Sequence, residues 1–301
     1  MLNERTDLAL EMHEIKCERN INDGIIVDEE YDDRIKTTRI VISDEKASFE
    51  SNLKIGKYIT IEVEEIWNED SVYLKRCVNK IKGELTKLIP SNCQNCLVVG
   101  LGNRRILCDS IGPKTVDHIL VTRHIKDIND EMFEKLNFFN VASFSPGVLS
   151  DTGIESSVMI GSIIKEISPD FVIVIDSLAS RNINRLAKTI QITDTGISPG
   201  SGVNNNRQAL NSDLLGIPII SIGIPTVVDA QTMIYNIFGT NYGCEKDIDM
   251  IEQYFQHNKN YFVSLKETDV IIEKMTKVLS LSINCTLHNK LNLGEIEELT
   301  N

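Results

Sequence analysis

Phe171-Val-Ile-Val-Ile175-Asp176 is the stretch that decides the fold, because five apolar residues lead directly into a carboxylate. A short, wholly apolar run of this kind is typical of a strand buried on both faces of a parallel sheet. Cys96-Leu-Val-Val-Gly100 has the same character and ends in glycine. Both runs therefore predict central strands of a parallel sheet, where ligands bind beyond the carboxyl ends of the strands.

Predicted strands and helices alternate on either side of these two runs. We expect further strands at 189–192 and 217–222, and helices at 80–89, 113–124, 155–167, 227–238 and 268–284. This alternation predicts an α/β fold, with βαβ units around a mostly parallel sheet that is covered on both faces. Residues 1–20 are expected to form an arm, and short β-branched runs at 25–27, 38–42 and 58–63 predict a small N-terminal β-rich subregion.

Composition excludes several classes of function. The 31 Lys and Arg residues against 44 Asp and Glu give a net charge of −13, which disfavours direct binding to nucleic acid or to an anionic membrane. The chain has no apolar run near the ~20 residues of a membrane span, and it does not begin with a secretory signal. Its 7 cysteines, an odd number at irregular spacings, indicate reduced thiols and a cytoplasmic protein. The Cys93–Cys96 pair is a poor zinc site without a second pair, so we expect no cofactor.

Two aspartates are placed to do chemistry. Asp176 ends one predicted strand, and Asp109 lies in the loop that follows the strand at 96–100. If the two strands are neighbours, both carboxylates face one crevice, where one keeps a proton and the pair supplies a general base and a general acid. Activation of water to attack an amide is the natural use of such a pair. The alternative is that each Asp caps the helix that follows it.

Other motifs are weaker. Gly100-Leu-Gly-Asn103 lacks the third glycine of a dinucleotide-binding loop, which disfavours a nicotinamide cofactor. The glycine-rich stretch from Thr193 to Val203 is interpreted either as a substrate-facing rim or as a sharp turn without a contact role. The chain has no Gly-x-Ser-x-Gly, HExxH or P-loop motif, so the common serine hydrolase, zincin and NTPase classes lose support.

Taken together, the motifs resemble the germination protease family, the spore endopeptidases of endospore-forming bacteria. The matching segments include Arg5-Thr-Asp7, Val98-Val-Gly-Leu-Gly-Asn103, Asp109-Ser-Ile-Gly-Pro113, Val121-Thr-Arg-His124, Ser145-Pro-Gly-Val148, Thr152-Gly-Ile-Glu155, Asp176-Ser-Leu-Ala-Ser-Arg181, Asp194-Thr-Gly-Ile-Ser-Pro-Gly-Ser-Gly202 and Gly223-Ile-Pro-Thr-Val-Val-Asp-Ala230. They cover residues 95–240 almost continuously and keep their order.

The resemblance implies an atypical aspartic endopeptidase on a fold similar to hydrogenase maturation proteases, a three-layer α/β/α sandwich. Its catalytic pair matches Asp109 and Asp176, the two aspartates that the crevice argument selects. The implied substrates are the small acid-soluble proteins that coat spore DNA, and the implied location is the cytoplasm of the spore core. The family also implies a homotetramer.

The resemblance further implies a self-processing zymogen. Its scissile bond matches Asp7–Leu8, so residues 1–7 would be a propeptide and residues 8–301 a single catalytic domain. That domain would comprise an arm and β-rich subregion at 8–90 and an α/β core at 91–301. Asp151, Asn204 and Cys108 depart from the family pattern, without removing either catalytic Asp.

His124, Glu155, Arg181 and Asp194 are further candidates for binding substrate or supporting the site. One rival hypothesis is a metal-dependent hydrolase in which Asp109, Glu155 and Asp176 bind a divalent ion. A second rival is a catalytically silent relative that binds spore proteins or serves in assembly.

Overall fold

The structure is a computed structural model that describes residues 6–17, 24–64, 66–68, 70–136, 138–198, 208–241, 253–255 and 261–300. The strands of this part of the chain are β1 (Ile25–Asp32), β2 (Ile35–Ile42), β3 (Gly56–Val63), β4 (Asn95–Gly100), β5 (Asn140–Phe144), β6 (Phe171–Ser180), β7 (Thr189–Thr193), β8 (Ile219–Asp229) and β9 (Phe262–Val263).

The α-helices of the same ranges are α1 (Ala9–Cys17), α2 (Glu45–Ser51), α3 (Ser71–Thr86), α4 (Ile111–Val116), α5 (Arg123–Ile128), α6 (Asp130–Leu136), α7 (Leu149–Thr152), α8 (Ser156–Ile167), α9 (Ser212–Leu215), α10 (Ala230–Asn241), α11 (Thr268–Leu287) and α12 (Leu293–Thr300). None of the helices in these ranges is long and apolar enough to cross a membrane.

All the strands join one mixed sheet in the order β1-β2-β3-β7-β8-β6-β4-β5, with β9 paired to β8. The four strands β8, β6, β4 and β5 are parallel and form the expected centre. β7, β3, β2 and β1 continue the sheet from β8 through antiparallel pairs. The predicted N-terminal strands therefore extend the central sheet, and β7 runs against the direction of β6 and β8.

Helices cover both faces of this sheet. The larger core joins the apolar sides of α3, α4 and α11 to one face, with Ile81, Ile111 and Met275 fully buried. A smaller core packs Ile160 and Ile164 of α8 against the opposite face. Burial of long apolar side chains on both sides of a sheet is the main stabilising contribution in such a layered domain. The expected α/β/α sandwich is confirmed.

Two helices begin or end at residues other than the expected ones, because backbone N–H groups at these positions donate hydrogen bonds to a side chain or to a strand. The helix predicted at 80–89 begins at Ser71, because the Asp70 carboxylate accepts hydrogen bonds from the first turn. The helix predicted at 113–124 is instead α4 and α5. Between them, the backbone N–H of Thr122 donates to the carbonyl of Val141 at 3.0 Å, so the chain turns back to the sheet.

The carboxyl end of the sheet is longer than predicted. A helix is expected at 227–238, but β8 continues to Asp229 and α10 starts at Ala230. The Asp229 carboxylate accepts hydrogen bonds from the N–H and the hydroxyl of Thr232, both at 2.9 Å, and so caps the helix. The chain from β8 therefore stays in the sheet alongside the end of β6.

Candidate active site

Asp176 lies inside β6 and not at its end. The strand runs to Ser180, whereas its neighbour β4 stops at Gly100, which pairs with Ile175. Asp176 thus stands one residue beyond the end of β4, at the crevice where this sheet is expected to bind a ligand. Its side chain is 4% exposed, and Oδ1 accepts a hydrogen bond from the N–H of Ser177 at 2.9 Å. The alternative role of a helix cap is excluded, because no helix follows Asp176.

Asp109 is held at the same edge by a single 3₁₀ turn, Leu107–Asp109. The N–H of Asn103 donates to its Oδ2 at 2.9 Å, and the hydroxyl of Thr226 on β8 donates to the carbonyl of Cys108 at 2.6 Å. The turn also contacts β6. Ser110, and not Asp109, is the N-cap of α4. The turn of Asp109 is therefore fixed against β6 and β8, the two strands that pair at Asp176.

Close backbone packing explains the glycines around Asp109. Gly102 has φ +116°, and a Cβ there would lie 2.1 Å from the carbonyl oxygen of Asp109. A Cβ on Gly112 would lie 2.3 Å from the carbonyl of Leu101 and 2.6 Å from that of Ile175. Glycine is the residue that permits such an approach. These glycines thus bring the Asp109 turn against β6.

Burial keeps the described cysteines in their thiol form. It raises the pKa of Cys108, and the neighbouring Asp109 raises it further. Burial likewise raises the pKa of Cys77, Cys93, Cys96 and Cys285. Because the thiolate is the reactive form, this environment does not activate Cys108 as a nucleophile.

The N-terminal arm crosses the same edge of the sheet. The N–H of Asp7 donates to the carbonyl of Ala179 at 2.9 Å, and the N–H of Ala179 donates back to Oδ2 of Asp7 at 2.9 Å. Leu8 is 0% exposed. The arm therefore lies along β6, with the Asp7–Leu8 bond three residues beyond the position of Asp176.

Gln191 on β7 contacts the arm on both sides of the Asp7–Leu8 bond. Its Nε2 donates to the carbonyl oxygen of Asp7 at 3.1 Å, and its Oε1 accepts from the N–H of Ala9 at 2.6 Å. Gln191 pairs with Gly223 of β8, which pairs in turn with Asp176. Because residues directly opposite in paired strands share a face, Gln191 and Asp176 lie on the same side of the sheet.

A cavity of about 190 Å³ lies beside the arm on this side of the sheet. Its lining includes Asp7, Leu178, Gln191, Ser221 and Gly223. Residues 195–198, which belong to the glycine-rich loop, complete part of its wall. The loop expected as a substrate-facing rim therefore borders the cavity; its residues 199–207, including Asn204, lie outside the described ranges.

Glu11 anchors the arm to the end of β6. Its carboxylate, 1% exposed, accepts hydrogen bonds from the hydroxyl of Ser180 and from the backbone N–H groups of Arg181 and Asn182. Arg185 adds an ion pair at 3.3 Å. A buried carboxylate is stable when it is paired and hydrogen-bonded in this way. Neither Glu11 nor Gln191 was predicted from the sequence, since their role depends on the docked arm.

Comparison with known proteins identifies the family. A family model described as germination protease matches residues 3–238. The chain belongs to the germination protease family. It is 37% identical to the germination protease of Caldanaerobacter subterraneus subsp. tengcongensis, across 98% of this chain and 97% of that protein. It is 36% identical to the germination protease of Clostridium perfringens, across 100% of both chains.

Among solved structures, the [NiFe] hydrogenase maturation protease HycI from Thermococcus kodakarensis is similar to this germination protease. The similarity has a TM-score of 0.35 at 15% identity, and it covers 68% of this chain and 98% of that one. The family predicted from the motifs is thus confirmed by the relatives. Family membership makes the protein a protease of spore germination that acts on protein substrates.

The structure brings two of the four supporting candidates of this germination protease to the carboxyl edge. Arg181 follows β6, and its guanidinium Nε donates to Oδ1 of Asn236 on α10 at 3.1 Å. Glu155 is the N-cap of α8, in the segment that follows the carboxyl end of β5. Asp151, one of the departures from the family pattern, pairs with Arg105 at 3.3 Å and links this segment to the loop of Asp109.

The other two candidates lie at the opposite edge of the sheet. His124 is in the first turn of α5, next to Thr122, whose N–H is bonded to the beginning of β5. Asp194 follows β7, and because β7 is antiparallel to β8, its carboxyl end points away from Asp176. The Asp194 carboxylate instead accepts a hydrogen bond from the backbone N–H of Lys57 at 2.7 Å. The strand directions therefore place His124 and Asp194 apart from Asp176.

The rival metal site requires Asp109, Glu155 and Asp176 to converge. Within the described ranges of this germination protease, no group of three or more His, Cys, Asp or Glu side chains is arranged to hold a metal ion. The carboxylates at this edge therefore do not form a ready set of ligands for a divalent cation.

Proposed function

We propose that this germination protease is an endopeptidase in which Asp109 and Asp176 activate water for hydrolysis of a peptide bond. The observation that carries this proposal is the position of Asp176 one residue beyond the end of β4, on the strand that the fixed turn of Asp109 contacts. One carboxylate takes a proton from water as it attacks the carbonyl carbon. The other gives its proton to the leaving nitrogen, so that no metal is needed.

The proposed substrates are the small acid-soluble proteins that coat spore DNA, degraded during germination in the cytoplasm of the spore core. Membership in the germination protease family supports this assignment. With a net charge of −13, the protein is not expected to bind DNA itself and would take these proteins once they are free. We further propose that it works as a homotetramer.

The protein is also proposed to be a zymogen that cleaves its own Asp7–Leu8 bond. Support comes from the arm, which lies along β6 just beyond Asp176. The Asp7 carboxylate accepts a backbone N–H, and the side chain of Leu8 is buried. An acidic residue followed by an aliphatic one therefore has partners on each side of the bond, as a substrate sequence would need.

Cleavage of a purified small acid-soluble spore protein tests the proposal. The wild-type chain is compared with Asp109→Asn, with Asp176→Asn and with the control Asp213→Asn on the exposed helix α9. We expect cleavage in the wild type and in the control, also in EDTA, and at least a ~1,000-fold loss in each catalytic variant. Loss of wild-type cleavage in EDTA would favour the metal hypothesis, and activity in both Asn variants would disprove the carboxylate pair.

N-terminal sequencing of matured protein tests the processing step. The mature chain should begin at Leu8, and Asp176→Asn should remain unprocessed. A mature, active chain that still begins at Met1 contradicts the zymogen proposal without affecting the proposed catalytic pair.

A further inference from the structure

The side chain of Gln191 holds the backbone of the arm at two points that flank the Asp7–Leu8 bond. It donates through Nε2 to the carbonyl oxygen of Asp7 and accepts through Oε1 from the N–H of Ala9. The two contacts also fix the amide orientation, because the NH₂ group is the donor and the oxygen is the acceptor. The side chain therefore recognises main-chain groups, which every peptide substrate shares.

We propose that Gln191 is a catalytic residue of this protease, which polarises the carbonyl of the bond to be cleaved and aligns the peptide through the second N–H beyond that bond. The inference rests on the proposed function, since it takes the docked arm as a substrate in place. It assigns a role to a side chain outside the aspartate pair.

The register of three strands supports this role. Gln191 and Asp176 both lie opposite Gly223, one on each side of it. With neighbouring strands ~4.8 Å apart, the two backbones are separated by about 10 Å. Gly223 places no side chain of its own in this interval, where Leu178 of β6 packs against it and the cavity of about 190 Å³ beside the arm begins.

The chemistry requires a donor at this position. When water attacks the carbonyl carbon of Asp7, the C=O π electrons move to oxygen, and that oxygen gains negative charge. The Nε2–H group already points to this oxygen, so its hydrogen bond becomes stronger as the charge develops. Collapse of the intermediate breaks the bond to the nitrogen of Leu8, which takes its proton from an aspartic acid of the pair. Gln191 itself exchanges no proton.

The same contacts would serve a separate substrate molecule once residues 8–17 of the mature chain have left Gln191. Asp7 binds Ala179 of β6 through its backbone N–H and its carboxylate, so a substrate with Asp before the scissile bond can make both hydrogen bonds. A peptide in this register presents its carbonyl and the second following N–H to Gln191. A substrate without that N–H should therefore be cleaved more slowly even by the wild-type enzyme.

The test uses the processed full-length enzyme and a synthetic peptide with the sequence of residues 1–17. Gln191→Leu removes both contacts, and Gln191→Glu keeps the acceptor for the Ala9 N–H but lacks the donor to the carbonyl. Thr189→Val is the matched control, because Thr189 is buried on the same strand and its hydroxyl has no hydrogen-bond partner in the described structure. Thermal melting of each variant reports on the fold.

We expect kcat to fall about 100-fold in Gln191→Leu and in Gln191→Glu, with Thr189→Val close to the wild type. The wild-type enzyme should also cleave the peptide with N-methylalanine at position 9 at least ~10-fold more slowly than the parent peptide. This peptide experiment uses only the wild-type enzyme, so it tests the alignment of the peptide even if Gln191→Leu fails to fold.

An unchanged kcat in both folded Gln191 variants, or a rise in KM alone, would overturn the catalytic role. Equal cleavage of the N-methylated and parent peptides would overturn the alignment of the second N–H. If the wild-type enzyme cleaves the peptide and Asp176→Asn does not, the aspartate pair stands whatever the Gln191 variants show. If the wild-type enzyme does not cleave at Asp7–Leu8, the processing proposal fails and this inference fails with it.

Discussion

The carboxylate of Glu11 accepts a 2.6 Å hydrogen bond from the backbone N–H of Arg181. This contact joins α1 to the first residue beyond β6, the strand that carries Asp176. Asn182 donates a second backbone hydrogen bond to Glu11 at 3.1 Å. The N-terminal arm and the proposed catalytic strand are therefore one hydrogen-bonded unit. Replacement of Glu11 should consequently affect both the position of the arm and the proposed site.

Replacement of Glu11 by alanine should release the arm. The change leaves two partly buried backbone N–H groups without this acceptor and removes one partner of Arg185, whose side chain is 13% exposed, at a cost of about 3 kcal/mol in the free energy of unfolding. Urea unfolding measures this loss, and proteolysis by an unrelated protease detects the freed arm. Glu14→Ala is the control, because Glu14 pairs with the same Arg185 but is 45% exposed, and its loss should cost under ~1 kcal/mol. Equal effects of the two variants would refute the anchoring role of Glu11.

Gly223 should not tolerate alanine. A Cβ at this position would lie 2.3 Å from Cδ1 of the buried Leu178, in the interval between Asp176 and Gln191. We expect Gly223→Ala to cost about 1–3 kcal/mol of stability through overpacking, and to reduce peptidase activity more than that loss explains. Gly161→Ala in α8 meets no atom within 4 Å and should stabilise the protein by up to ~1 kcal/mol. Activity assays below the melting temperature separate the loss of stability from the loss of activity. Full activity of Gly223→Ala would contradict the proposal that the position between Asp176 and Gln191 belongs to the active site.

The central strands, and the position of Asp176 beyond the end of β4, could be predicted because their signals are local. Wholly apolar runs predict buried parallel strands, and a carboxylate directly after such a run points to the carboxyl edge. The continuation of β6 beyond Asp176 has no such signal. Ser177-Leu-Ala-Ser180 is held as a strand by β8 and by the arm, so its conformation is set by tertiary pairing.

Strand direction was not predictable from the sequence. An alternating run such as 189–192 indicates a strand but not whether that strand is parallel to its neighbour. Since β7 is antiparallel, Asp194 lies at the opposite edge from Asp176, while Gln191 in mid-strand contacts the arm. Gln191 looks like an ordinary polar residue in an alternating strand, because its partner is about 180 positions away in the chain.

Protonation of the buried His288 should destabilise the fold. Burial lowers the pKa of its imidazole, and Nε2 donates to the carbonyl of Leu120 at 3.0 Å, a contact that offsets the lowering in part. The unfolded chain takes up a proton near pH 6.5 and the folded chain at a lower pH, so stability falls as the pH drops below about 6.5. His288→Gln removes the titration and should flatten the dependence of the unfolding free energy on pH just below about 6.5. His124→Gln, at an exposed position, is the control, and an unchanged slope in His288→Gln would assign the effect to other groups.

The pair formed by Arg39 and Glu84 should set the acid sensitivity of the β1–β3 region. Glu84 on α3 is 2% exposed, and burial acts to raise its pKa, but hydrogen bonds from Arg39 at 2.6 Å and Lys87 at 2.9 Å hold the pKa below its ordinary value of 4.5. The stabilisation is therefore present above pH 4.5 and is lost as the pH falls through the lowered pKa.

Arg39→Met should reverse the sign of this pH dependence. Without Arg39, burial of Glu84 dominates and raises its pKa, so protonation relieves a buried charge and the variant gains stability on acidification from neutral pH toward about 4.5. At pH 7 the loss should be about 3–5 kcal/mol. Arg76→Met, which removes exposed pairs with Asp32 and Asp33, is the control and should leave the free energy of unfolding almost unchanged at either pH. Urea unfolding at pH 7 and at pH 5 distinguishes the two variants. If the stability of Arg39→Met changes between these two pH values in the same way as that of the control, Glu84 is not the group that depends on Arg39.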